Sequence, residues 1–166
     1  LTCYMSEEFE RFLRKNRASF DGLGVSVDIW RESSYLGTGG AVADYCHKNP
    51  SLDDEILVVN GDTYFEGSLQ ELLSVNSPAI SVKRVKEADR YGLVVVNDAC
   101  EVETFGEKEA SGPGLINAGY YRFSRTSFHN WTGAFSLEKE YLPSLVKNER
   151  VLAVEIQGYW VDIGIP

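Results

Sequence analysis

One short apolar run constrains this chain more than any other feature. Glu55-Ile56-Leu57-Val58-Val59 is continuous rather than alternating, too short for a helix, and breaks at once into Asn60-Gly61-Asp62. Such a run suits a parallel strand covered on both faces, and a strand of that kind needs flanking helices. The rest of the sequence supplies them. Glu7 and Glu8 after Ser6 mark a helix start, with the Ser6 hydroxyl as a cap. Phe9, Phe12 and Leu13 form one stripe and Arg14, Lys15 and Arg17 suit the far end, so residues 6–17 are predicted to be helical. Val25, Val27 and Ile29 alternate with Ser26, Asp28 and Trp30, which predicts a strand. A glycine-rich turn, Leu36-Gly37-Thr38-Gly39-Gly40, leads into a predicted helix over residues 41–46.

Beyond Asp62 the pattern predicts helix 68–76, strands 79–86, 92–97, 101–106 and 116–123, helix 136–147 and strand 151–157. Helix and strand alternate early and strands follow one another later. The expectation is an α/β sheet, parallel at first and mixed later, with helices on both faces. Gly and Pro make 107–115 the segment expected to be most mobile.

The 166 residues lie within the range of about 100–200 expected for one domain. With 16 basic against 25 acidic side chains the net charge is −9, which argues against nucleic acid and anionic membranes as partners, because both call for a basic surface. No stretch reaches the roughly 18 consecutive apolar residues of a membrane-spanning helix, and Leu1-Thr2-Cys3-Tyr4 has no leader character. Cys3, Cys46 and Cys100 lack the paired spacing of zinc or redox motifs and read as reduced thiols of a cytoplasmic protein. His47 and His129 are isolated in sequence, so neither a histidine-ligated metal nor a histidine-based triad is expected.

Four places could carry chemistry. The glycine turn offers bare backbone amides and a helix N-terminus to a base, ribose or phosphate, although such a turn also serves as a plain connector. Its spacing is that of neither a P-loop nor a dinucleotide fingerprint. Asp62 follows the apolar strand, and ligands of open α/β sheets gather outside the carboxyl ends of strands, so this carboxylate is placed to hold a hard cation; capping the next turn is its alternative duty. Asp162 lies among Tyr159-Trp160-Val161 and Ile163-Gly164-Ile165-Pro166, where a charge is costly unless paired or bound to metal. Two such aspartates can share one Mg²⁺, while an arginine or a backbone amide would satisfy Asp162 equally. Glu107-Lys108, with Asn117-Ala118-Gly119 on the following strand, suits a phosphorylated sugar: cation to phosphate, Glu and Asn to hydroxyls. A surface ion pair is the alternative.

The order of these pieces carries more than any one of them. Leu36-Gly37-Thr38-Gly39-Gly40-Ala41, Val59-Asn60-Gly61-Asp62, Asp89-Arg90-Tyr91-Gly92-Leu93-Val94, Glu107-Lys108, Asn117-Ala118-Gly119-Tyr120-Tyr121 and Asp162-Ile163-Gly164-Ile165-Pro166 together resemble the sugar-phosphate nucleotidyltransferase family. The resemblance spans essentially the whole chain. It is strongest to the branch of guanylyltransferases acting on D-glycero-α-D-manno-heptose 1-phosphate, through the Leu-Gly-Thr-Gly-Gly-Ala turn, the Asp-Arg-Tyr-Gly loop, Gly114-Leu115-Ile116-Asn117, and Phe135-Ser136-Leu137-Glu138 before a helix.

The resemblance implies a Rossmann-like, GT-A-like three-layer sandwich with a mixed, mainly parallel sheet. It implies an enzyme in which a sugar 1-phosphate attacks the α-phosphorus of a nucleoside triphosphate, giving a nucleotide sugar for surface polysaccharide synthesis and pyrophosphate. Asp62 and Asp162 would hold Mg²⁺, Lys108 the sugar phosphate, Glu107 and Asn117 the sugar hydroxyls, with Tyr91, Gly92 and Gly119 around the sugar. Leu36, Gly37, Thr38 and Gly61 would line the nucleotide. Glu32 matches the position that meets the base edge, and a carboxylate with two acceptors complements the N1–H and amino group of guanine, implying GTP. Homo-oligomers are expected from the same resemblance.

The family's N-terminal Gly-rich loop, with its Arg and a downstream Pro-Lys, has no counterpart here. Leu1-Thr2-Cys3-Tyr4 resembles the strand that follows that loop, so residues 1–166 read as a catalytic domain lacking its first strand and loop, and nearly inactive alone. Alternatives are a mannose 1-phosphate guanylyltransferase, a glucose 1-phosphate thymidylyltransferase and, from another class, a non-catalytic nucleotide-sugar-binding module.

Overall fold

The computed structural model describes residues 1–88, 91–106 and 112–164. The chain divides into two compact units, one of Leu1–Pro50 with Phe128–Glu138 and one of Ser51–Ser127 with Lys139–Pro166. No helix among the described residues is long and apolar enough to cross a membrane.

The first unit carries α1 (Ser6–Gly22) and α2 (Gly37–Lys48). The α1 helix runs past its predicted end at residue 17 and stops at a left-handed glycine: Gly24 has φ 68°, its amide donates to Asp21 O at 3.0 Å and the Val25 amide to Phe20 O at 3.0 Å. That reciprocal pair satisfies carbonyls that a helix end would otherwise orphan. Ser6 lies inside the helix and caps nothing; Met5, at φ 53°, holds the cap position without a side-chain bond. The strand predicted over residues 25–30 does not form. Among the described residues its only strand-like pairing is a bridge between Thr2 and Arg31, with Thr2 N donating to Trp30 O and Glu32 N to Thr2 O. Alternation defines two faces but does not provide a partner strand. The α2 helix begins at Gly37, so the glycine turn is the helix's own first turn. His47 and His129, isolated in sequence, stack with ring centroids 6.3 Å apart, and His47 Nε2 meets Phe128 O at 3.0 Å.

The second unit holds β1 (Glu55–Val59), β2 (Thr63–Gly67), α3 (Gln70–Ser74), β3 (Ala79–Val85), β4 (Val94–Val96), β5 (Val102–Phe105) and β6 (Gly114–Ser124). After a 3-10 turn at Arg125–Phe128, shared with the first unit, come α4 (Leu142–Asn148), β7 (Leu152–Glu155) and β8 (Gly158–Asp162). Four strands make one sheet in the order β1-β6-β3-β7. Pairing is antiparallel for β1 with β6 and β6 with β3, and parallel for β3 with β7. Three strands therefore point one way and β6 runs against them, giving the mixed sheet. β1 is neither parallel to its neighbour nor covered on both faces as its apolar run suggests: it pairs antiparallel with β6, and Leu57 and Val59, on one face, are 39 % and 46 % exposed. β2 pairs with β8 and β4 with β5 in two antiparallel ribbons. β2 has no counterpart in the sequence reading. Within 107–115, expected to be mobile, Gly114 and Leu115 belong to β6 and pair with Val85 and Arg84; residues 107–111 lie outside the described residues.

The predicted helix 136–147 is composite. Leu137–Tyr141 is a π turn and α4 follows, with Pro143 in its first turn, where a residue without an N–H costs least. On one side of the sheet Leu72, Ala79 and Tyr120 pack with Phe65, Leu69, Val75, Leu152 and Val154. Burial there pushes the Tyr120 hydroxyl pKa up.

The register between β3 and β6 breaks at one place. Ile80 faces Tyr121 and Val82 faces Asn117, so two steps along β3 oppose four along β6. The surplus residues bulge out of the ladder, with Gly119 at φ 82°.

Candidate active site

The second unit brings Asp62 and Asp162 together. Thr63 pairs with Asp162 at the start of the β2–β8 ribbon, and Ile163 N donates to Asp62 O at 2.8 Å. Gly164 N donates to Asp162 Oδ1 at 2.8 Å, which fixes that carboxylate. A Cβ at Gly164 would lie 2.8 Å from Asp62 Oδ2 and 3.2 Å from Asp162 Oδ1, so the two oxygens are no farther apart than the sum of those distances. Glycine leaves open the cradle a side chain would fill. Asp62 is exposed, Asp162 half-buried, and neither forms an ion pair with a described residue. Among the described residues no third His, Cys, Asp or Glu joins them. Two hard oxygen donors without histidine or thiolate fit a Mg²⁺ that takes its other ligands from water and substrate phosphate.

The β6 bulge stands beside this pair. Gly119 O accepts from Asn60 N at 2.9 Å, and a Cβ on Gly119 would lie 3.0 Å from both Asn60 Nδ2 and Thr63 Oγ1. Gly61 and Asp62 are the two residues between Asn60 and Thr63. Asn117 bonds within its own strand, Oδ1 accepting from Gly119 N at 3.1 Å and Nδ2 donating to Tyr121 Oη at 3.0 Å. One amide hydrogen and one lone pair remain for a ligand. Trp160 Nε1 donates to Ala118 O at 3.0 Å, and its ring meets the Tyr91 ring edge-on at 5.6 Å. Trp160 thus ties the Tyr91-Gly92 loop to the bulge. Lys83 Nζ donates to Ile156 O at 3.3 Å and Gly158 O at 2.9 Å, holding the approach to β8. Sequence reasoning singled out none of Ser81, Lys83 and Thr63, and it noted Trp160 only as a neighbour of Asp162. Glu107 and Lys108 lie outside the described residues.

The first unit holds Glu32, Leu36, Gly37 and Thr38. The turn is less bare than its sequence suggests. Gly39 N and Gly40 N both donate to Phe135 O, at 3.1 and 3.3 Å, and Phe135 N donates to Leu36 O at 3.0 Å. A Cβ at Gly37 would stand 2.5 Å from Phe135 O, and one at Gly39 2.2 Å from Phe135 Cε2. The glycines therefore admit the Phe135 segment. Thr38 Oγ1 donates to Glu138 Oε2 at 2.8 Å and accepts from Leu137 N at 2.9 Å, so its donor is already committed. Glu32 Oε2 accepts from Leu36 N at 3.2 Å, which satisfies one amide ahead of α2 and leaves Oε1 without a hydrogen bond among the described residues. Behind the turn, Lys48 Nζ and Trp30 Nε1 both bond Asp44, and with Lys48 the larger cause they hold its carboxyl pKa below the ordinary carboxylate value.

A nucleotidyl transferase family model matches residues 1–166. The chain belongs to this family. Among nucleotidyl transferases it is 33 % identical, over 147 residues, to the D-glycero-alpha-D-manno-heptose 1-phosphate guanylyltransferase of Campylobacter jejuni, a match covering 87 % of this chain and 65 % of that protein. It is 31 % identical over 171 residues to the mannose-1-phosphate guanylyltransferase catalytic subunit beta of Danio rerio, covering 98 % of this chain and 47 % of that one. The chain thus spans about half to two thirds of the length of these curated relatives. HddC from Yersinia pseudotuberculosis complexed with GMP-PN superposes with a TM-score of 0.84 at 29 % identity, covering 99 % of this chain and 71 % of that chain. The fold is the α/β nucleotidyltransferase fold that the sequence led us to expect.

Proposed function

We propose that this protein transfers GMP from GTP to a sugar 1-phosphate, with D-glycero-α-D-manno-heptose 1-phosphate as acceptor, and that the GDP-sugar feeds surface polysaccharide synthesis. The convergence of Asp62 and Asp162 on the open cradle over Gly164 carries this reading. Likeness to a heptose 1-phosphate guanylyltransferase and to HddC complexed with GMP-PN supports it. An oxygen of the sugar phosphate attacks the α-phosphorus, a Pα–O bond forms, and the bond to the β-phosphate oxygen breaks to release pyrophosphate. The attacking oxygen is already anionic, so no protein base and no covalent intermediate are required. Mg²⁺, when bound by Asp62 and Asp162, supplies charge neutralisation at the triphosphate.

The chain's own residues bind and orient. Lys108 holds the sugar phosphate, Glu107 and Asn117 take hydroxyls, and the Tyr91-Gly92 backbone and Gly119 border the sugar. Leu36 and Gly37 are the first unit's nucleotide residues and Gly61 the second unit's, and Thr38 fastens the Phe135 segment to the glycine turn. The free Oε1 of Glu32 is an acceptor for the guanine N1–H or amino group.

Mannose 1-phosphate is the second acceptor to weigh, because the mannose 1-phosphate relative matches 98 % of this chain. Pyrophosphate release by the full-length protein, with GTP, UTP and dTTP each paired with heptose, mannose and glucose 1-phosphates, tests the proposal. Turnover is expected with GTP and heptose 1-phosphate. Asp62→Ala and Asp162→Ala should each lose more than the roughly 10–100-fold that an outer-shell partner costs, with the fold retained. Preference for dTTP, or near-normal turnover in either variant, would overturn it.

A further inference from the structure

Ser81 is a polar residue in the most buried stretch of the sheet. Ala79, Ile80, Ser81 and Val82 are all inaccessible or nearly so, and Ser81 is 0 % exposed. A hydroxyl placed there is costly unless bonded. Its Oγ accepts from Tyr120 N at 3.0 Å. Tyr120 is one of the residues that the register break leaves without a Cα partner on β3, and its amide is met there by the Ser81 hydroxyl.

The other bulge groups are taken up with the same economy. Gly119 N bonds Asn117 Oδ1, Gly119 O takes Asn60 N, and Ala118 O takes Trp160 Nε1. Two of these grips lead to the carboxylate pair: Asn60 is two residues before Asp62, and Trp160 two before Asp162. Ser81 is the fastening on the strand behind. We propose that Ser81 is a positioning residue for the Asp62–Asp162 cation site, acting through the Tyr120 amide and the Gly119 bulge. This rests on the reading that those two carboxylates hold a divalent cation. Removing the acceptor leaves a buried amide unpaired and favours a regular ladder. That slackens the Asn60 and Trp160 contacts and with them the spacing of the two carboxylates.

The test uses the full-length protein and Mn²⁺ alone as the probe, titrated by electron paramagnetic resonance well below each variant's melting temperature. Ser81→Ala should weaken Mn²⁺ binding about tenfold or more and speed hydrogen exchange at the Tyr120 amide. Ser81→Cys, close in volume but a weak acceptor, should do the same and replaces the alanine variant if that does not fold. Leu145→Ala, a core truncation in α4, should lower the melting temperature and leave Mn²⁺ affinity unchanged, which separates positioning from general destabilisation. Asp62→Ala is the control for the cation site itself. Should Asp62→Ala bind Mn²⁺ as the wild type does, the cation reading fails and this proposal falls with it. Should Asp62→Ala lose binding while the Ser81 variant keeps wild-type affinity or Tyr120 exchange, the proposal alone is overturned.

Discussion

Gly119→Ala tests how closely the β6 bulge packs against the Asn60–Thr63 loop. Gly119 sits at φ 82°, where an L side chain costs about 1–2 kcal/mol, and its new Cβ would press at 3.0 Å on Asn60 Nδ2 and Thr63 Oγ1 and at 3.1 Å on Asn60 Cβ. Both neighbours are short side chains whose positions the loop fixes, so the contact adds an overpacking cost, and the total comes to about 2–4 kcal/mol. For a chain of this size that corresponds to a fall in melting temperature of about 4–16 °C. Gly61→Ala is the matched comparison, since a Cβ there meets nothing within 4 Å and should change stability by less than about 0.5 kcal/mol. Thermal unfolding of both variants by circular dichroism checks the pair. Equal melting temperatures would refute the argument that Gly119 is held by its backbone and by Asn60 and Thr63. A Gly119→Ala protein that is destabilised yet binds Mn²⁺ normally would break the link between the bulge and Asp62.

Two further outcomes follow from the first unit. Glu32→Gln trades the open acceptor for an amide that can also donate, so the preference for GTP over dTTP should fall, read as the ratio of the two kcat/KM values in the full-length protein. An unchanged ratio would remove Glu32 from base selection. Asp44 is depressed in the fold, chiefly by the Lys48 bond, so its contribution is present above the ordinary aspartate pKa of about 3.9 and lost as pH falls through the folded value. Asp44→Asn should therefore lower the melting temperature at pH 7, and the gap to the wild type should narrow as pH falls below the ordinary aspartate value. A gap that stays constant across that range contradicts the linkage.

The meeting of Asp62 and Asp162 was legible because its signals are local. A carboxylate directly after an apolar strand stands where ligands gather, a second inside an apolar run is a charge that needs a partner, and the structure brings both to Gly164. What escaped depends on distant partners. β2 was missed because Thr63–Gly67 follows a tight turn and finds its ladder only in β8 near the other end of the chain. The segment around Val25 and Ile29 shows the converse, a clear period of two with no strand to pair with among the described residues. Ser81 was passed over inside a predicted strand, and nothing local in Ala-Ile-Ser-Val says that its partner is the Tyr120 amide. The glycine turn was read as bare amides offered to a ligand or as a plain connector, whereas the Gly39 and Gly40 amides go to the chain's own Phe135. His47 and His129 illustrate the same limit, since spacing in sequence gave no hint that their rings meet.

The Phe135 contact also determines what can be exchanged between relatives. Leu36 through Gly40 and Phe135 through Glu138 interlock by backbone on both sides, and the Thr38–Glu138 bond spans 100 residues. A graft of the turn alone would set foreign glycines against an unmatched Phe135 and foreign hydroxyls against Glu138. The two segments therefore act as one packed module, and chimaeras with relatives should be built by moving them together.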